Sequence, residues 1–378
     1  MKVGILTLPL HYNYGGILQA FALYKVLEEM QHRPVLIRRD RKKTLVNRLG
    51  SYCSWLLYHS LGIDKGVKWA KANTILCQNT SSFVAAYIPN QSEVVYSGKQ
   101  LRRLLNDEHF DAVVVGSDQV WRRHYVPNIY NYFLDFCKDR GKTCKVAYGA
   151  SFGDEKWQYS DSETKELRRL ISEFNAVSVR EDAGIKLCKD YLGINAKLVL
   201  DPAFLIERDV YDDICTKARM TIPSNTLACY LLDRTAEKES FVYKVAKEKD
   251  LEPYLLSPKY TLSWENYYHH FQDCIWGAVV EWLYAISHAA FIVTDSYHGC
   301  VFSIIFHRNF FVVENKSRGF SRIQSLLGLL GLKDHMISLS SNNLSHLNIV
   351  TDWNDVDARL MKEKLGSRLF LKDSLQNF

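Results

Sequence analysis

The chain opens with an apolar run, Val3 to Leu8. It continues through a polar loop ending in Tyr14-Gly15-Gly16, an amphipathic stretch from Ile17 to Met30, and a second apolar run, Val35-Leu36-Ile37. Ile17, Phe21, Tyr24, Leu27 and Met30 recur at three- and four-residue steps, while Gln19, Lys25, Glu28 and Glu29 take the other faces. The pattern predicts strand, loop, helix, strand, with one helix face laid on a sheet. Further apolar runs follow at Ala112 to Val115, Lys145 to Tyr148, Ala176 to Val179 and Lys197 to Leu200, with helical periodicity at 161–174 and 182–192. Unbroken apolar strands spaced by helices indicate a parallel sheet covered on both faces.

A second set begins after Asp201-Pro202: Thr226 to Leu232, Pro253 to Leu256, Phe291 to Thr294 and Phe310 to Val313. The expected fold class is therefore α/β with two Rossmann-like domains, 1–205 and 206–378, joined near 205–222, and a terminal helix from Trp353 to Leu375. One segment departs from the alternation. From Arg38 to about Gln78 the chain is first basic (Arg38, Arg39, Arg41, Lys42, Lys43, Arg48) and then aromatic (Tyr52, Trp55, Leu56, Leu57, Tyr58). Two readings stay open: an amphipathic insert resting on an anionic bilayer, or a solvated helical hairpin packed on the first sheet.

Composition narrows the function classes. At 378 residues with 47% hydrophobic and 24% charged positions, the chain has an ordinary folded composition and length for about two domains. A formal net charge of +6 is mild at this length, so no nucleic-acid partner is expected, while a small anionic substrate fits. The nine cysteines are scattered without a CxxC pair or a Cys and His cluster, which suggests reduced thiols, a cytoplasmic location and no metal site. The first residues lack a cleavage signature, and the stretch Ala278 to Val293 is broken by Glu281, Ser287 and His288, so neither a signal peptide nor a membrane span is expected.

Ligands of open parallel sheets bind beyond the carboxyl ends of the strands, which directs attention to the residues following each run. After the first comes Asn13-Tyr14-Gly15-Gly16, whose glycines admit a close ligand and whose amides open a helix. After Val115 comes Gly116-Ser117-Asp118-Gln119-Val120-Trp121, where Asp118 is either a general base for a sugar hydroxyl or a helix N-cap. After Val179, Arg180 either binds a carboxylate or phosphate through its planar fork or pairs with Glu181 or Asp182. The sharpest cluster is Thr294-Asp295-Ser296-Tyr297-His298-Gly299, which places His298 at a helix N-terminus suited to an anion. Lys316, Arg318 and Arg322 then supply cations after the strand Phe310 to Val313.

Taken in order, these motifs with Ser178-Val179-Arg180-Glu181 and Leu200-Asp201-Pro202 resemble the polysaccharide pyruvyl transferase family, from about residue 3 to 335. The resemblance implies a GT-B-like fold and transfer of the pyruvyl group of phosphoenolpyruvate to two hydroxyls of a hexose, galactose-type, on a lipid-linked precursor of a cell-surface polysaccharide. Phosphoenolpyruvate is then a co-substrate, with no cofactor or metal, and the enzyme works in the cytoplasm or at the inner membrane face. His298 and Asp118 carry over as catalytic residues. The donor falls to Arg180, Ser296, Gly299, Lys316, Arg318 and Arg322, and the acceptor to Asn13, Tyr14, Gly15, Gly16 and Trp121. Many members carry Arg two residues before the motif His, where this chain has Ser296, so the donor's charge partner is Arg180 or one of the later cations. Two rivals share the fold: a nucleotide-sugar glycosyltransferase and a non-catalytic sugar-binding protein.

Overall fold

The computed structural model describes residues 1–42, 69–138, 143–339 and 349–376. The first sheet holds β1 (Lys2–Leu6), β2 (Arg33–Leu36), β3 (Ala112–Asp118), β4 (Cys144–Ala150), β5 (Ala176–Val179) and β6 (Lys197–Leu198). They run parallel in the order β2-β1-β3-β4-β5-β6. The second sheet, also parallel, holds β7 (Thr226–Tyr230), β8 (Glu252–Leu255), β9 (Phe291–Thr294), β10 (Phe310–Val313) and β11 (Met336–Ile337), ordered β11-β10-β9-β7-β8. Every residue of β3, β4, β7, β9 and β10 is buried, as strands covered on both faces must be. Strand order reverses beside β1 in one sheet and beside β7 in the other, opening a crevice at the carboxyl ends in each.

Helix α1 (Tyr14–Glu29) is buried far beyond the single face that its periodicity predicts. Leu18, Gln19 and Leu23 are as buried as Ile17 and Phe21. The helix lies at the centre of the molecule, where an apolar core runs unbroken from Val3 and Val114 of the first half to Ile292 and Phe302 of the second. Gln19, expected on a polar face, instead donates to Thr7 Oγ1 (3.1 Å) and to the Gly16 carbonyl (2.9 Å), tying the helix to the exit of β1.

The segment ending at Gln78 is partly described. Helix α2 (Gln78–Tyr87) packs Phe83 and Tyr87 against Phe21 of α1, and Asn79 donates to the Trp276 carbonyl across to the second half. Arg39 corrects the expectation of a basic surface cluster. It is buried, with its Nε donating to Asn131 Oδ1 (3.0 Å) and a second bond to the Asp40 carbonyl. Arg41 donates to the His124 and Val126 carbonyls. Lys43, Arg48 and the aromatic run from Tyr52 to Tyr58 lie outside the described residues. No described helix is long and apolar enough to cross a membrane.

The terminal helix, Trp353–Gln376, touches both halves. Its first turns stack Trp353 on His307 and set Asp357 2.9 Å from His307 Nε2. Its last turns accept from Leu200 N at Ser367 Oγ (2.9 Å) and donate from Arg368 to the Leu205 carbonyl (2.6 Å). The helix therefore clamps the halves together and is not confined to the second, as its place in the chain suggested.

Candidate active site

The carboxyl edges of the two sheets face each other, and four strand exits meet in one buried cluster. At the exit of β3, Gly116 sits at φ +122°, and a Cβ there would stand 2.1 Å from the Tyr148 carbonyl oxygen, so only glycine lets the chain pass. Two residues on, Asp118 ends the strand at φ +72° with a turn after it and no helix, which removes the N-cap reading. Its carboxylate accepts from Arg180 Nη2 (2.8 Å) and lies 3.5 Å from Arg322 Nη1.

Arg180, at the exit of β5, also donates from Nη1 to Asp201. The side chains of Arg180 and Asp201 are fully buried, and that of Asp118 is nearly so. Burial alone would raise both carboxyls, but Arg180 first, and then His298, outweigh it. Asp118 is held below the usual carboxylate range and Asp201 is pulled down to about 2. The guanidinium is shifted upward despite its burial, for the same reciprocal reason. In this state Arg180 holds two carboxylates in place, and only its buried Nε lacks a hydrogen-bond partner.

From the second half, β9 delivers helix α3 (Tyr297–Ile305). Ser296, where many relatives carry Arg, is its N-cap and accepts from Gly299 N (3.4 Å). Gly299 has no room for a side chain, because a Cβ would stand 2.2 Å from Thr294 Oγ1. His298 lies in the first turn with Nε2 3.4 Å from Asp201 Oδ2, within ion-pair reach but without a hydrogen bond. Its ring rests on Gly15 of α1, where a Cβ would fall 2.1 Å from the imidazole Cγ and Nδ1. Gly15 thus serves the site by receiving the histidine ring. The neighbouring Tyr297 ring stands 4.4 Å from the guanidinium carbon of Arg180 and 5.4 Å from that of Arg322.

The remaining predicted residues divide. Arg322 is buried inside the cluster, with its Nη2 donating to the Arg318 carbonyl (2.6 Å). Arg318 is bound to Asp233 by two bonds of 2.5 and 2.8 Å, so its charge is already matched. The Lys316 side chain lies outside the described residues. Asn13 caps α1 by accepting from Gly16 N, which leaves Gly16 close against it. Tyr14 is buried, with its hydroxyl donating to the Gly277 carbonyl (3.2 Å) and its ring stacked on Trp282, so it joins the halves and does not face a ligand.

Trp121 requires the clearest correction. It is 1% exposed, stacked on Phe133, with its Nε1 donating to the Tyr132 carbonyl (3.0 Å). Its closeness to Asp118 in sequence does not bring it to the cleft, because the turn after Asp118 sends the indole into the core. Trp121→Ala is expected to cost about 3–5 kcal/mol of stability in chemical denaturation, the range for an emptied aromatic site, and Trp121→Phe much less.

The sequence gives no role to Asp201 and offers Glu181 only as a partner for Arg180, which pairs instead with Asp118 and Asp201. Asp201 stands between an apolar run and Pro202, a pattern that signals a cap. It does cap the short turn Pro202–Phe204 by accepting from Ala203 N (3.0 Å) while also holding Arg180. Glu181 is wholly buried behind Arg180 and accepts from Ser151 Oγ and Phe152 N; burial pushes its carboxyl upward. Nothing in the local pattern separates it from the exposed acids nearby.

Two parallel α/β halves meeting at their carboxyl edges, clamped by a terminal helix, define a protein of the GT-B structural class. The chain belongs to the polysaccharide pyruvyl transferase family, whose model matches residues 13–317, and so to the transferases of polysaccharide biosynthesis. No curated protein sequence matches the chain. Among solved structures it is similar to a UDP-GlcNAc 2-epimerase from Neisseria meningitidis bound to UDP-GlcNAc, at 9% identity and TM-score 0.51, covering 100% of this chain and 98% of that one. MurG from Acinetobacter baumannii is similar at 11% identity and TM-score 0.42, with 100% and 99% covered. A glycosyltransferase from Rickettsia africae is similar at 10% identity and TM-score 0.47, with 99% and 94% covered. Likeness at these identities concerns fold alone.

Proposed function

We propose that the chain transfers the pyruvyl group of phosphoenolpyruvate to two hydroxyls of a hexose carried on a lipid-linked polysaccharide precursor, at the cytoplasmic membrane face. The observation that carries this reading, beside the family, is the placement of His298 from one half against Asp118, Arg180 and Asp201 from the other. Ketal formation needs an acid for the methylene carbon, a base for the attacking hydroxyls and stabilisation of departing phosphate.

In this reading His298 delivers a proton to the methylene carbon, making it the methyl group of the product. One sugar hydroxyl adds at C2, phosphate leaves with the C–O bond electrons, and the second hydroxyl closes the ketal. Two hydroxyl protons are released: one restores the histidine and the other leaves with phosphate, by way of Asp118. Arg322, beside Asp118 and Tyr297, and the amino end of α3 supply positive potential for the donor. Arg180 keeps the base and Asp201 aligned.

Incubation of the full chain with phosphoenolpyruvate and a panel of methyl galacto-, gluco- and mannopyranosides tests the reading. The expected result is phosphate release that depends on the sugar, with a product heavier by one pyruvyl ketal. Consumption of a nucleotide sugar with phosphoenolpyruvate untouched would establish the glycosyltransferase instead. Sugar binding with neither donor consumed would establish the binding protein.

A further inference from the structure

A cavity of about 250 Å³ opens beside the cluster, at the carboxyl ends of β1 and β2. Its polar lining includes Thr7, His11, Arg38, Asp40 and Ser81, and its apolar lining includes Leu10. None of the residues assigned to the acceptor from the sequence lines it, and Trp121 and Tyr14, both among them, are buried elsewhere. From this geometry we propose that the cavity is the acceptor subsite, holding one hexose ring with Asp40 as the carboxylate that receives its hydroxyls and His11 as the group that fixes Asp40. The inference rests on the function proposed above and adds where the sugar sits.

Three observations support it. The cavity floor is tied to the catalytic turn, because Thr7 Oγ1 donates to the carbonyl of Ser117 (3.0 Å), one residue before Asp118. Its wall continues into the loop that carries Gly15. From His11 to Gly15, on which the His298 imidazole rests, the chain spans at most about 14 Å when fully extended. The cavity is therefore linked through Thr7 to the strand end that carries Asp118 and through the 11–15 loop to the glycine under His298, while standing outside the buried ionic cluster.

The chemistry of the lining also selects the ligand. His11 Nε2 lies 3.4 Å from Asp40 Oδ2, and Asp40 Oδ1 accepts from Arg41 N (2.6 Å). A carboxylate offers about four acceptor positions, so these two contacts leave positions for a pair of sugar hydroxyls. The close His11 ring, against the opposing effect of partial burial and together with the bond from Arg41 N, keeps Asp40 below the ordinary carboxylate range and hence ionised near neutrality. Leu10 and the α2 side chains Val84 and Ala85 present an apolar wall opposite, suited to the C–H face of a pyranose. The His11 carbonyl is itself held by the Thr80 hydroxyl of α2, which sets the loop against that wall.

The test uses the full chain, the same sugar panel and two independent variants. Asp40→Asn removes the charge but keeps the shape, and is expected to raise the KM for the accepted hexoside about tenfold or more while leaving the KM for phosphoenolpyruvate unchanged. Ser81→Trp, at an exposed lining position of α2, adds bulk to the cavity while leaving the Asp40 charge in place and should produce the same split. Both variants are checked for wild-type melting temperature, and hexoside binding is read directly by saturation-transfer NMR without donor. An unchanged hexoside KM in both folded variants, or an equal rise for both substrates, overturns the subsite while the pyruvyl reading stands. Hexoside binding that Asp40→Asn abolishes, in a chain that never consumes phosphoenolpyruvate, supports the subsite and overturns the pyruvyl reading. If no hexoside of the panel binds or reacts, the subsite is rejected.

Discussion

His298→Ala is expected to lower turnover by about a hundredfold or more, the usual scale for a lost general acid, in a protein that still folds. The ring sits at the junction of the halves, on Gly15 and beside Asp201, and its removal leaves no charge unpaired, because its nearest ionic contact is a 3.4 Å approach and not a hydrogen bond. Gly15→Ala provides the companion measurement. It keeps the imidazole but drives a methyl group into the space that the ring occupies, so turnover should also fall sharply. The double variant should be little worse than His298→Ala alone, since both changes remove the same function. Single-turnover assays with phosphoenolpyruvate measure all three. Near-normal turnover in a folded His298→Ala protein would remove the histidine from the acid role.

Asp201→Ala is expected to cost about 3–5 kcal/mol of folding stability at neutral pH, because it leaves the buried Arg180 guanidinium with one carboxylate in place of two. The pH dependence has a definite sign. The folded-state value of Asp201, about 2, lies below the ordinary 3.8, so its contribution is fully present above about pH 4 and is lost as pH falls toward 2. Asp201→Asn keeps an oxygen to accept from Ala203 N yet carries no charge. The stability gap between wild type and Asp201→Asn should therefore narrow between pH 4 and pH 2. Denaturant titrations across that range check it, and a gap that stays constant would show that the Arg180 pairing contributes nothing through charge.

The two changes separate chemistry from support. Loss of His298 should remove turnover and spare stability. Loss of Asp201 should weaken stability first and activity through the positions of Arg180 and His298.

Much of this site was legible along the chain because of how parallel sheets are built. A strand covered on both faces must read as an unbroken apolar run, and the polar residues that follow it must lie at the carboxyl edge where ligands bind. That reasoning reached Asp118 after β3, Arg180 after β5 and His298 after β9, and the structure brings all three together. It failed for Trp121 and Tyr14, which also follow strands. Position along the chain says where a residue leaves the sheet but not which way its side chain turns, and both rings turn inward to aromatic neighbours. It failed in the same way for Arg39, whose basic neighbours suggested a surface cluster while its own guanidinium reaches the buried Asn131.

Local hydrophobic pattern and short motifs are enough to specify the two parallel sheets, the exits at which chemistry is placed, and the family. Three further features emerge from the folded chain alone: the Arg180 charge is spent on Asp118 and Asp201, Gly15 has no room for a side chain because a histidine from the other half rests on it, and the terminal helix joins both halves. Each of these is a contact between residues far apart in the chain. Electrostatic pairing and steric fit depend on distances in space, which the order of residues along a polymer does not contain.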